Sequence, residues 1–458
     1  MTDETADVVV LGAGLAGHCA AIEAAAAGAS VLVVEKMPEV GGSTVLSGGS
    51  FAFGGTPEQA ALGIEDSAER FRDDLMTVAA RAECQPLIDV YAAEQLAGHA
   101  FLKARGVVFS PVQSSSNQAV PRSHPVSPRD VIARLHRELS ETAGVRFVTS
   151  ARARRLVRDA AGKVCGVRVE RSGQERLFSA RRAVVLATGG FSQSRELMAL
   201  FAPRLERSLR TGCPGNEGDG LRMAWELGAI VADLDALVPT FGAFDEAQMS
   251  EPNTLLLAFF KGGIAVNRAG RRFVDESRGY KAVGAACLEQ EGATGFQIFD
   301  AAVMRRGVPD PVTFDLQRAH AKGRLIEAES IAALASRIGM DPAVLDETVR
   351  TYNEDAQAGV PDRAFGRHHI VSKVGRIFPL QEPPYYAYPT ATILPATFGG
   401  IRPDARMNVL DVWGRPIPGL FAAGEVTGGL HGRNYMTGTA LGKALIFGRI
   451  AGRNAAAG

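Results

Sequence analysis

The chain lacks several features that mark common functional classes. Its 458 residues include 50 basic and 50 acidic side chains, so no net charge favours binding to nucleic acid or to an anionic membrane. Its five cysteines form no Cys-x-x-Cys pair and have no histidine at metal-ligand spacing, which predicts reduced thiols in a cytoplasmic protein and no metal site. No run of 18 uncharged apolar residues occurs outside the glycine-rich segments, so no transmembrane helix is expected.

Further absences narrow the chemistry. The N-terminal residues have no basic stretch ahead of the first apolar run, so no signal peptide is expected. No Cys-x-x-Cys-His haem motif is present, so any electron donor or acceptor is external and its identity is open. The adjacent His368 and His369 have no other metal-type ligand at useful spacing. One group of alternating arginines is typical of a surface strand rather than a nucleic-acid site: Arg152, Arg154, Arg155 and Arg158.

Glycine, in contrast, is abundant, and a characteristic unit stands near the N-terminus. Residues 7–11 are an apolar run typical of a strand buried on both faces of a parallel sheet. Gly12 allows a tight turn, Gly14 lets a pyrophosphate approach the backbone, and Gly17 lets a following helix pack closely. Glu35 ends the next apolar run, where a carboxylate can accept hydrogen bonds from an adenosine ribose. The unit therefore predicts a dinucleotide site, with phosphate at a helix N-terminus.

A second glycine- and hydroxyl-rich segment, at residues 41–49, favours FAD over NAD. A nicotinamide dehydrogenase has no need of another such loop here. The pyrophosphate and ribityl chain of a flavin must pass more backbone N–H and hydroxyl donors, which this segment can supply. An NAD-binding Rossmann protein is the alternative, and it predicts a colourless preparation.

Glycine motifs return in the middle and at the end of the chain. Residues 181–190 form an apolar run that ends in glycines, which suits close approach to a nucleotide. Asp219 stands near the start of a helical run, either beside the cofactor or as a plain helix cap. A strand before Gly424 leads through a glycine-rich loop to a helix at about residues 439–457. The N-terminus of that helix would stabilise negative charge on a reduced flavin.

The segment between residues 236 and 396 has a different character. It contains an expected hairpin at 261–273 and two amphipathic helices within 326–358, but no phosphate loop. Since 458 residues exceed one hydrophobic core, we expect two domains. The predicted fold is α/β, with a Rossmann-like FAD-binding domain of the glutathione reductase type, residues 1–235 and 397–458, and an inserted α+β cap domain that binds substrate.

These motifs resemble the fumarate reductase/succinate dehydrogenase flavoprotein superfamily, which includes the 3-ketosteroid dehydrogenases, over nearly the whole chain. The resemblance implies FAD, a cap that closes over the isoalloxazine ring, and hydride transfer between flavin N5 and a carbon next to a carbonyl. Covalently flavinylated members have a histidine near the second glycine segment; this chain has none there, so non-covalent FAD is implied. The matching segments are Gly12-Ala-Gly-Leu-Ala-Gly17, Gly41-Gly-Ser-Thr…Ser-Gly-Gly49, Ala187-Thr-Gly-Gly190, Glu217-Gly-Asp-Gly220, Asn267…Gly270-Arg-Arg-Phe-Val-Asp-Glu276 and Gly419…Ala-Ala-Gly-Glu425.

The residues expected at the cofactor come from every one of the nucleotide motifs. They are Gly12, Ala13, Gly14, Ala16, Gly17, Glu35, Lys36, Gly42, Ser43, Thr44, Ser47, Gly48, Gly49, Ala153, Thr188, Gly189, Asp219, Gly424, Glu425, Thr439, Ala440 and Leu441.

The chain departs from the fumarate-reducing members at two positions. Those members hold a dicarboxylate with a histidine ahead of a Thr-x-Gly-Gly motif and with an arginine in a His-Gly-x-Asn-Arg motif. Ala396 and Tyr435 occupy the corresponding positions here. Because each lost charge-assisted hydrogen bond is worth about 1.5–3 kcal/mol, fumarate and succinate are not expected as substrates.

Tyr435 instead resembles the ketosteroid dehydrogenase pattern, in which a tyrosine and a glycine N–H polarise the substrate ketone. Gly438 matches that glycine if one residue is deleted, and Tyr280 resembles a second catalytic tyrosine. One phenol would donate to the carbonyl oxygen, while the other, ionised, would remove the α proton. Since tyrosine ordinarily has a pKa near 10, Tyr280 would need a nearby cation, for which Arg278 or Lys281 is available.

Four other residues are candidates for the substrate site. Arg278 lies one position from the proton-donating arginine of fumarate reductases and is the alternative acid. Arg433 could hold a substrate carboxylate, and Thr397 begins the Thr-x-Gly-Gly motif. His124, with Arg122, matches a family loop near the mouth of the active site, although a surface loop is the ordinary interpretation.

The sequence therefore predicts an FAD-dependent oxidoreductase acting on a CH–CH bond next to a carbonyl. The favoured reaction is α,β-desaturation of a cyclic ketone or keto acid, with a small-molecule substrate and an external electron acceptor. The first alternative is reduction of an unsaturated carboxylic acid other than fumarate. A flavin-binding electron-transfer or sensory protein is an alternative from another class.

Overall fold

The structure is a computed structural model that describes residues 4–237, 239–243, 255–309 and 312–458. Its strands are β1 (Glu4–Leu11), β2 (Val31–Val34), β3 (Ser50–Ala52), β4 (Ser123–Pro125), β5 (Val145–Val148), β6 (Arg152–Arg158), β7 (Val164–Arg171), β8 (Gln174–Leu186), β9 (Leu209–Arg210), β10 (Val231–Ala232), β11 (Thr240–Ala243), β12 (Ile264–Asn267), β13 (Thr294–Asp300), β14 (Ile326–Ala328), β15 (His369–Val371), β16 (Val374–Arg376), β17 (Tyr385–Leu394), β18 (Gly400–Ile401), β19 (Asn408–Leu410) and β20 (Pro416–Ala422).

The described residues also form α-helices, which surround two larger sheets. They are α1 (Leu15–Ala26), α2 (Gly42–Leu46), α3 (Pro57–Ala61), α4 (Ala68–Ala79), α5 (Gln85–Ala104), α6 (Pro128–Glu141), α7 (Arg195–Phe201), α8 (Asp219–Glu226), α9 (Tyr280–Leu288), α10 (Ala301–Arg305), α11 (Leu316–Ala321), α12 (Ile331–Arg337), α13 (Pro342–Ala358) and α14 (Thr439–Ala457). Across the described ranges, no helix is both long enough and apolar enough to cross a membrane.

The first large sheet is the frame of the expected cofactor site. Its strand order is β19-β20-β8-β1-β2-β5, with β7 paired to β8 and β6 paired to β7. Strands β20, β8, β1, β2 and β5 run parallel, and the side chains of Val8, Val9 and Val10 in β1 are fully buried. The apolar runs that were predicted to be strands buried on both faces therefore form the centre of the sheet. The predicted α/β fold is confirmed.

Helices α1 and α14 pack against each other and join the two ends of the chain. Glycines in α14 allow this approach: a Cβ on Gly448 would lie 2.5 Å from the carbonyl oxygen of Ala16, and one on Gly452 would lie 2.2 Å from that of Ala20. The N-terminal nucleotide unit and the C-terminal helix consequently share one apolar core. This contact places the middle of α14 beside the start of α1.

The second large sheet belongs to the segment expected to form the cap. Its strand order is β11-β17-β13-β12, and β14 and β9 both pair with β17. Helices α10 to α13 contribute to a separate apolar core that includes Leu334, Leu345 and Tyr388. Strand β9, at residues 209–210, joins this sheet from outside the predicted 236–396 range. The domain boundaries themselves stay a prediction.

Two local expectations need correction. The hairpin predicted at 261–273 is confirmed only as β12, a turn after Asn267 and one antiparallel bridge from Val266 to Arg272, because no second strand forms and β12 pairs along its length with β13. The side chain of Arg272 instead belongs to a buried cluster of charged side chains. The second glycine segment is not wholly a loop, since it forms the short helix α2 behind Gly41, whose φ is 119°. Helices α12, α13 and α14 match their predicted positions.

Four buried charged side chains form what we call the cap ion cluster: Arg272, Glu276, Asp362 and Arg367. Arg272 donates to Glu276 Oε2 at 2.7 Å and to Asp362 Oδ1 at 2.8 Å. Arg367 donates to Glu276 Oε2 at 3.1 Å and also to the backbone carbonyl of Phe259. The cluster joins the start of α9 to the strands and loops beneath it, so it supports the position of Tyr280.

Candidate active site

The glycine turn after β1 forms a cradle at the carboxyl edge of the parallel sheet. Gly12 has a φ of 104°, and a Cβ there would lie 2.2 Å from the carbonyl oxygen of Ala187. A Cβ on Gly17 would lie 1.9 Å from the carbonyl oxygen of Gly12, so α1 packs closely on β1. Gly14 lines a cavity of about 90 Å³, and a Cβ there would meet nothing closer than 3.8 Å. This open backbone at the N-terminus of α1 suits a pyrophosphate.

Glu35 closes one side of the cradle. Its Oε2 accepts a hydrogen bond from the backbone N–H of Ala13 at 2.8 Å, and its Oε1 accepts one from Met37 at 2.8 Å. The carboxylate also lines the cavity and retains further lone pairs, so it can accept from ribose hydroxyls.

Lys36 and Asp219 meet at the rim of the same cavity. Lys36 Nζ donates to Asp219 Oδ2 at 2.6 Å and to Glu217 Oε2 at 2.9 Å. Arg152 Nη2 donates to Asp219 Oδ1 at 2.6 Å. Gly218 is the N-cap of α8, so the alternative that Asp219 is a plain helix cap is wrong. Its carboxylate instead orders two cations beside the nucleotide cradle.

Glu425 links distant parts of the chain at the centre of the site. Asn216 Nδ2 donates to Glu425 Oε2 at 3.1 Å and to Ser43 Oγ at 2.9 Å, and the N–H of Thr397 donates to Glu425 Oε1 at 3.0 Å. Burial raises the pKa of Glu425, and these hydrogen bonds oppose the rise. Nearby, the buried Oγ1 of Thr188 has no hydrogen-bond partner among the described residues. A hydroxyl left unpaired beside the cradle fits a polar ligand there.

Most of the residues expected at the cofactor lie around two adjoining cavities. Those lining the 90 Å³ cavity are Gly12, Gly14, Ala16, Glu35, Lys36, Gly42, Ser43, Thr44, Ala153, Thr188, Gly189, Asp219 and Glu425. Ser47, Gly48, Gly49, Ala440 and Leu441 line a larger neighbouring cavity. The remaining four act through the backbone or packing around them: Ala13, Gly17, Gly424 and Thr439.

The larger cavity, of about 320 Å³, lies between the first sheet and the cap. Leu257, Phe260 and Tyr280 reach it from the cap, and Phe398 and Tyr435 reach it from the C-terminal segment. It shares part of its lining with the nucleotide cradle, namely Ser43, Thr44, Cys213 and Glu425. The two cavities thus form a continuous path that suits a long cofactor whose ring ends beneath the cap.

Two tyrosines face each other in this cavity. The ring centroids of Tyr280 and Tyr435 are 6.5 Å apart, and Phe398 stacks on Tyr435 at 4.6 Å. The Tyr435 hydroxyl accepts a hydrogen bond from the N–H of Gly438 at 3.1 Å, while the Tyr280 hydroxyl is 2.8 Å from Thr437 Oγ1. The structure therefore brings together the phenol and the glycine N–H that the family pattern pairs.

Both phenols are held in their protonated form. Burial raises the pKa of Tyr280, the neighbouring Tyr435 adds to the rise, and the hydrogen bond with Thr437 opposes it. Burial also raises the pKa of Tyr435, against the backbone N–H groups of Gly438 and Ala440. The cation expected for Tyr280 is not supplied by the described neighbours in sequence, because Arg278 is exposed and Lys281 donates to the backbone carbonyl of Arg433.

The lining of the cavity is poor in charge. Of the described residues, only Glu425 and Lys443 bring ionisable acidic or basic side chains to it, and neither arginine nor histidine is among them. Ala396 lines the cavity. Thr397 also lines it, and its Oγ1 accepts from the N–H of Phe191 at 3.3 Å. Carboxylate-binding guanidinium groups are therefore not part of this surface.

Three predicted site residues lie outside the described lining of this cavity. Arg278 and Arg433 are exposed. His124 is fully buried, with Nε2 2.9 Å from Thr56 Oγ1 and Nδ1 2.8 Å from the carbonyl oxygen of Arg122. The surface-loop interpretation of Arg122 and His124 is wrong, because Arg122 is also fully buried and binds Asp66 through two nitrogens. Both residues support the wall behind the cavity.

Sequence reasoning missed Asn216, Phe398 and Lys443. Asn216 directly precedes the Glu-Gly-Asp-Gly motif, so its position at the motif's edge was a usable signal. Phe398 is the variable residue of the Thr-x-Gly-Gly motif, so the motif itself gives no signal for it. Lys443 interrupts the apolar face of α14, and a lysine at such a position is a visible anomaly. In the described part of the chain, no three His, Cys, Asp or Glu side chains gather as a metal site.

Comparisons with known proteins agree with this geometry. Residues 7–441 match the family described as FAD binding domain. A probable fumarate reductase of Shewanella frigidimarina is 32% identical over 99% of this chain and 75% of that protein. A 4-oxocyclohexanecarboxylate 2-dehydrogenase of Sinomonas cyclohexanicum is 29% identical over 99% of this chain and 93% of that protein.

A solved structure shares both the fold and part of the sequence. The 3-ketosteroid-delta4-(5alpha)-dehydrogenase of Rhodococcus jostii RHA1, in complex with 4-androstene-3,17-dione, superposes with a TM-score of 0.76 and 29% identity. The match covers 100% of this chain and 98% of that one. The chain belongs to the FAD binding domain family, in the superfamily of fumarate reductases and 3-ketosteroid dehydrogenases, and it is an FAD-dependent oxidoreductase.

Proposed function

We propose that this enzyme removes hydrogen from the α and β carbons of a ring ketone or small cyclic keto acid. The observation that supports the proposal most is the pair of facing phenols, Tyr280 and Tyr435, in a cavity whose described lining contains no arginine or histidine. A fumarate-type substrate needs cations at both carboxylates. A neutral carbonyl oxygen needs only hydrogen-bond donors.

Different residues would bind the carbonyl oxygen and accept the α proton. The Tyr435 O–H and the Gly438 N–H are adjacent donors, and a ketone oxygen placed between them would exchange their mutual hydrogen bond for two of its own. This polarisation acidifies the α C–H bond. Tyr280, whose ring centroid lies 6.5 Å from that of Tyr435, accepts the α proton when its phenol is ionised. FAD held in the nucleotide cradle would supply the hydride acceptor for the β carbon, so that loss of the α proton and the β hydride would leave a carbon–carbon double bond. An external oxidant then takes the electrons.

The apolar walls suit a cyclic substrate. Leu257, Phe260 and Phe398 line the cavity beside the two phenols and exclude water from the reacting carbons. The likeness to a dehydrogenase whose name specifies a cyclic keto acid, and to a ketosteroid dehydrogenase, supports a ring substrate here. We further propose that FAD is bound non-covalently, so that acid precipitation of the protein releases it.

A second candidate function is reduction of a conjugated carbonyl compound or an unsaturated acid other than fumarate. Its support is the raised pKa of Tyr280, because a protonated phenol is suited to give a proton to the α carbon. In this direction the α carbon would gain a proton and the β carbon would gain a hydride.

A steady-state panel separates the two candidates. Saturated cyclic ketones and keto acids are offered with an artificial electron acceptor, and the corresponding enones and unsaturated acids are offered with reduced viologen. The proposal predicts turnover in the first arm, with conjugated product by ultraviolet absorbance, and none with succinate. Turnover confined to the viologen arm would support the second candidate instead.

A further inference from the structure

Lys443 is a buried cation in an electrostatically unfavourable place. It is the fifth residue of α14, and only 1% of its surface is exposed. The N-terminal end of a helix has partial positive charge, so a lysine close to it is opposed by the helix dipole. Burial adds a desolvation cost unless the ammonium group finds compensation.

The described surroundings compensate this charge only in part. Lys443 Nζ donates one hydrogen bond, to the carbonyl oxygen of Thr427 at 2.7 Å. The nearest acidic groups, Glu425 and Asp233, stabilise it at a distance, and among the described residues it makes no direct ion pair. Their oxygens serve other donors: Glu425 accepts from the N–H of Thr397, and Asp233 accepts from Arg81 at 2.6 Å.

The position of Lys443 relates it to the cofactor rather than to the substrate. It lines the 320 Å³ cavity together with Ser43, Thr44 and Glu425, which also line the nucleotide cradle. Glu425, which acts electrostatically on Lys443, lines both cavities, whereas neither Tyr280 nor Tyr435 lines the nucleotide cradle. The lysine therefore stands where the path of the cofactor enters the ring cavity, on the helix whose N-terminus is expected at the flavin.

We propose that Lys443 supplies positive charge that stabilises the negative charge gained by the flavin ring on reduction. A fixed cation in a site of low dielectric favours the anionic form far more than it would in water. The inference rests on FAD binding alone, so it stands or falls independently of the ketone substrate.

The protonation of Lys443 gives the inference a pH signature. Burial lowers the pKa of Lys443 to about 8, while Glu425 and Asp233 oppose the shift. His431 also faces this group, and its own pKa is lowered well below the ordinary value by burial first and then by Lys443, so it stays neutral. Below pH 8 the cation is present in both redox states. Above pH 8 reduction should draw a proton onto the lysine.

The test uses the holoenzyme and two lysine variants. Lys443→Met removes the buried cation, and Lys103→Met removes an exposed lysine of α5 as the matched control. Sulfite, which places negative charge on the oxidised flavin, is titrated by bleaching of the visible absorbance. We expect Lys443→Met to weaken sulfite binding at least tenfold and to lower the flavin midpoint potential. The control variant should match the wild type.

Equal sulfite affinity and equal midpoint potential in Lys443→Met and wild type would overturn the inference. If Lys443→Met fails to retain FAD, the wild-type protein decides the question by itself. Its two-electron midpoint potential should be measured from pH 7 to pH 9.5. The slope of this potential against pH should become steeper above pH 8, by the amount that corresponds to one extra proton taken up per two electrons. A constant slope across that range would refute the role of Lys443.

Discussion

Tyr435 is the position at which we expect this chain to depart most clearly from the fumarate-reducing members of its superfamily. An arginine there would present a permanent charge to a carboxylate. The phenol presents a neutral donor, and its hydroxyl already contacts the N–H of Gly438 at 3.1 Å. A Cβ on Gly438 would lie 2.5 Å from the backbone nitrogen of Ala52, so glycine is required where this N–H is presented. The substitution changes which functional group of a substrate can be recognised.

Replacing Tyr435 by Phe should lower kcat for ketone desaturation by about 10²–10³-fold, because loss of one oxyanion donor typically costs that much. FAD binding, measured by the visible spectrum, should be retained. Tyr352→Phe is the matched control, since Tyr352 is a buried cap tyrosine whose hydroxyl has no partner among the described residues. Retained activity in Tyr435→Phe would remove the phenol from the mechanism.

The pH profile tests the role of Tyr280. Its raised pKa means that only a small fraction is ionised at pH 7, so kcat/KM for desaturation should rise with pH throughout the range from 7 to 10. In the reductive direction the protonated phenol is the active form, so the rate should instead be flat in that range. Tyr280→Phe should abolish the rise. A desaturation rate that is independent of pH in the wild type would argue against a phenol base.

At the scale of single residues, the sequence was informative where backbone geometry limits the choice of amino acid. Gly12 and Gly17 could be predicted, because only glycine tolerates the contacts found there. Arg122 could not, because its burial depends on Asp66, which is 56 residues away in the chain. Lys443 could be noticed as unusual, yet its environment required the structure.

Among the structural elements, α9 shows how the cap supports chemistry. The helix begins at Tyr280, directly after the segment that contributes Glu276 to the cap ion cluster. Glu276 is fully buried between Arg272 and Arg367. Such a cluster stabilises the element only while every charge retains its partner, because a buried unpaired charge is costly.

Replacing Glu276 by Gln should lower the free energy of unfolding by about 3–5 kcal/mol, since two buried guanidinium groups lose their shared carboxylate. Urea denaturation of the holoenzyme measures this change. Glu354→Gln, on the exposed side of α13, is the control and should cost less than about 1 kcal/mol. Similar losses in the two variants would show that the cap ion cluster is not a special source of stability.

Helices with strong local signals were predictable, and strand pairing was less so. Helix α14 begins and ends where its glycine-rich approach and periodic apolar residues indicated. Only the turn and one bridge of the expected hairpin form, and the main partner of β12 is β13, about thirty residues further along the chain. Local turn residues between two apolar runs do not reveal such a distant partner.

On the scale of the whole molecule, the two ends of the chain meet at the cofactor site, and burial of polar groups there has consequences for stability. His18, in α1, lies 2.9 Å through Nδ1 from the carbonyl oxygen of Gly14, and burial lowers its pKa to about 4. Burial also lowers the pKa of His124 to about 4. Both histidines are neutral in the folded protein at pH 7.

Stability should therefore fall as the pH is lowered from about 6.5 to 4. The unfolded chain binds protons at these histidines near pH 6.5, whereas the folded protein does not until about pH 4, so each contributes about 3 kcal/mol that is lost across this window. Urea midpoints of the holoenzyme between pH 7.5 and 4.5 measure the effect. His18→Gln should flatten the decline, and His320→Gln, at an exposed position, should not. Identical slopes in wild type and His18→Gln would contradict this account.

The overall fold could be predicted because each nucleotide motif is local and their order is informative. The match of residues 7–441 to one family confirms that interpretation. The depth of the cap cavity and the facing of Tyr280 and Tyr435 could not be predicted, since those residues are 155 positions apart and their meeting depends on how α9 and the C-terminal loop pack.

The central claim is that paired phenols beneath the cap direct the bound flavin to a ring ketone. Anaerobic mixing of the oxidised holoenzyme with a saturated cyclic ketone or keto acid, followed by visible absorbance, tests it most directly. We predict bleaching of the flavin with conjugated product formed in a one-to-one ratio, and no bleaching with succinate. Bleaching by succinate, with none by any cyclic ketone, would contradict the account.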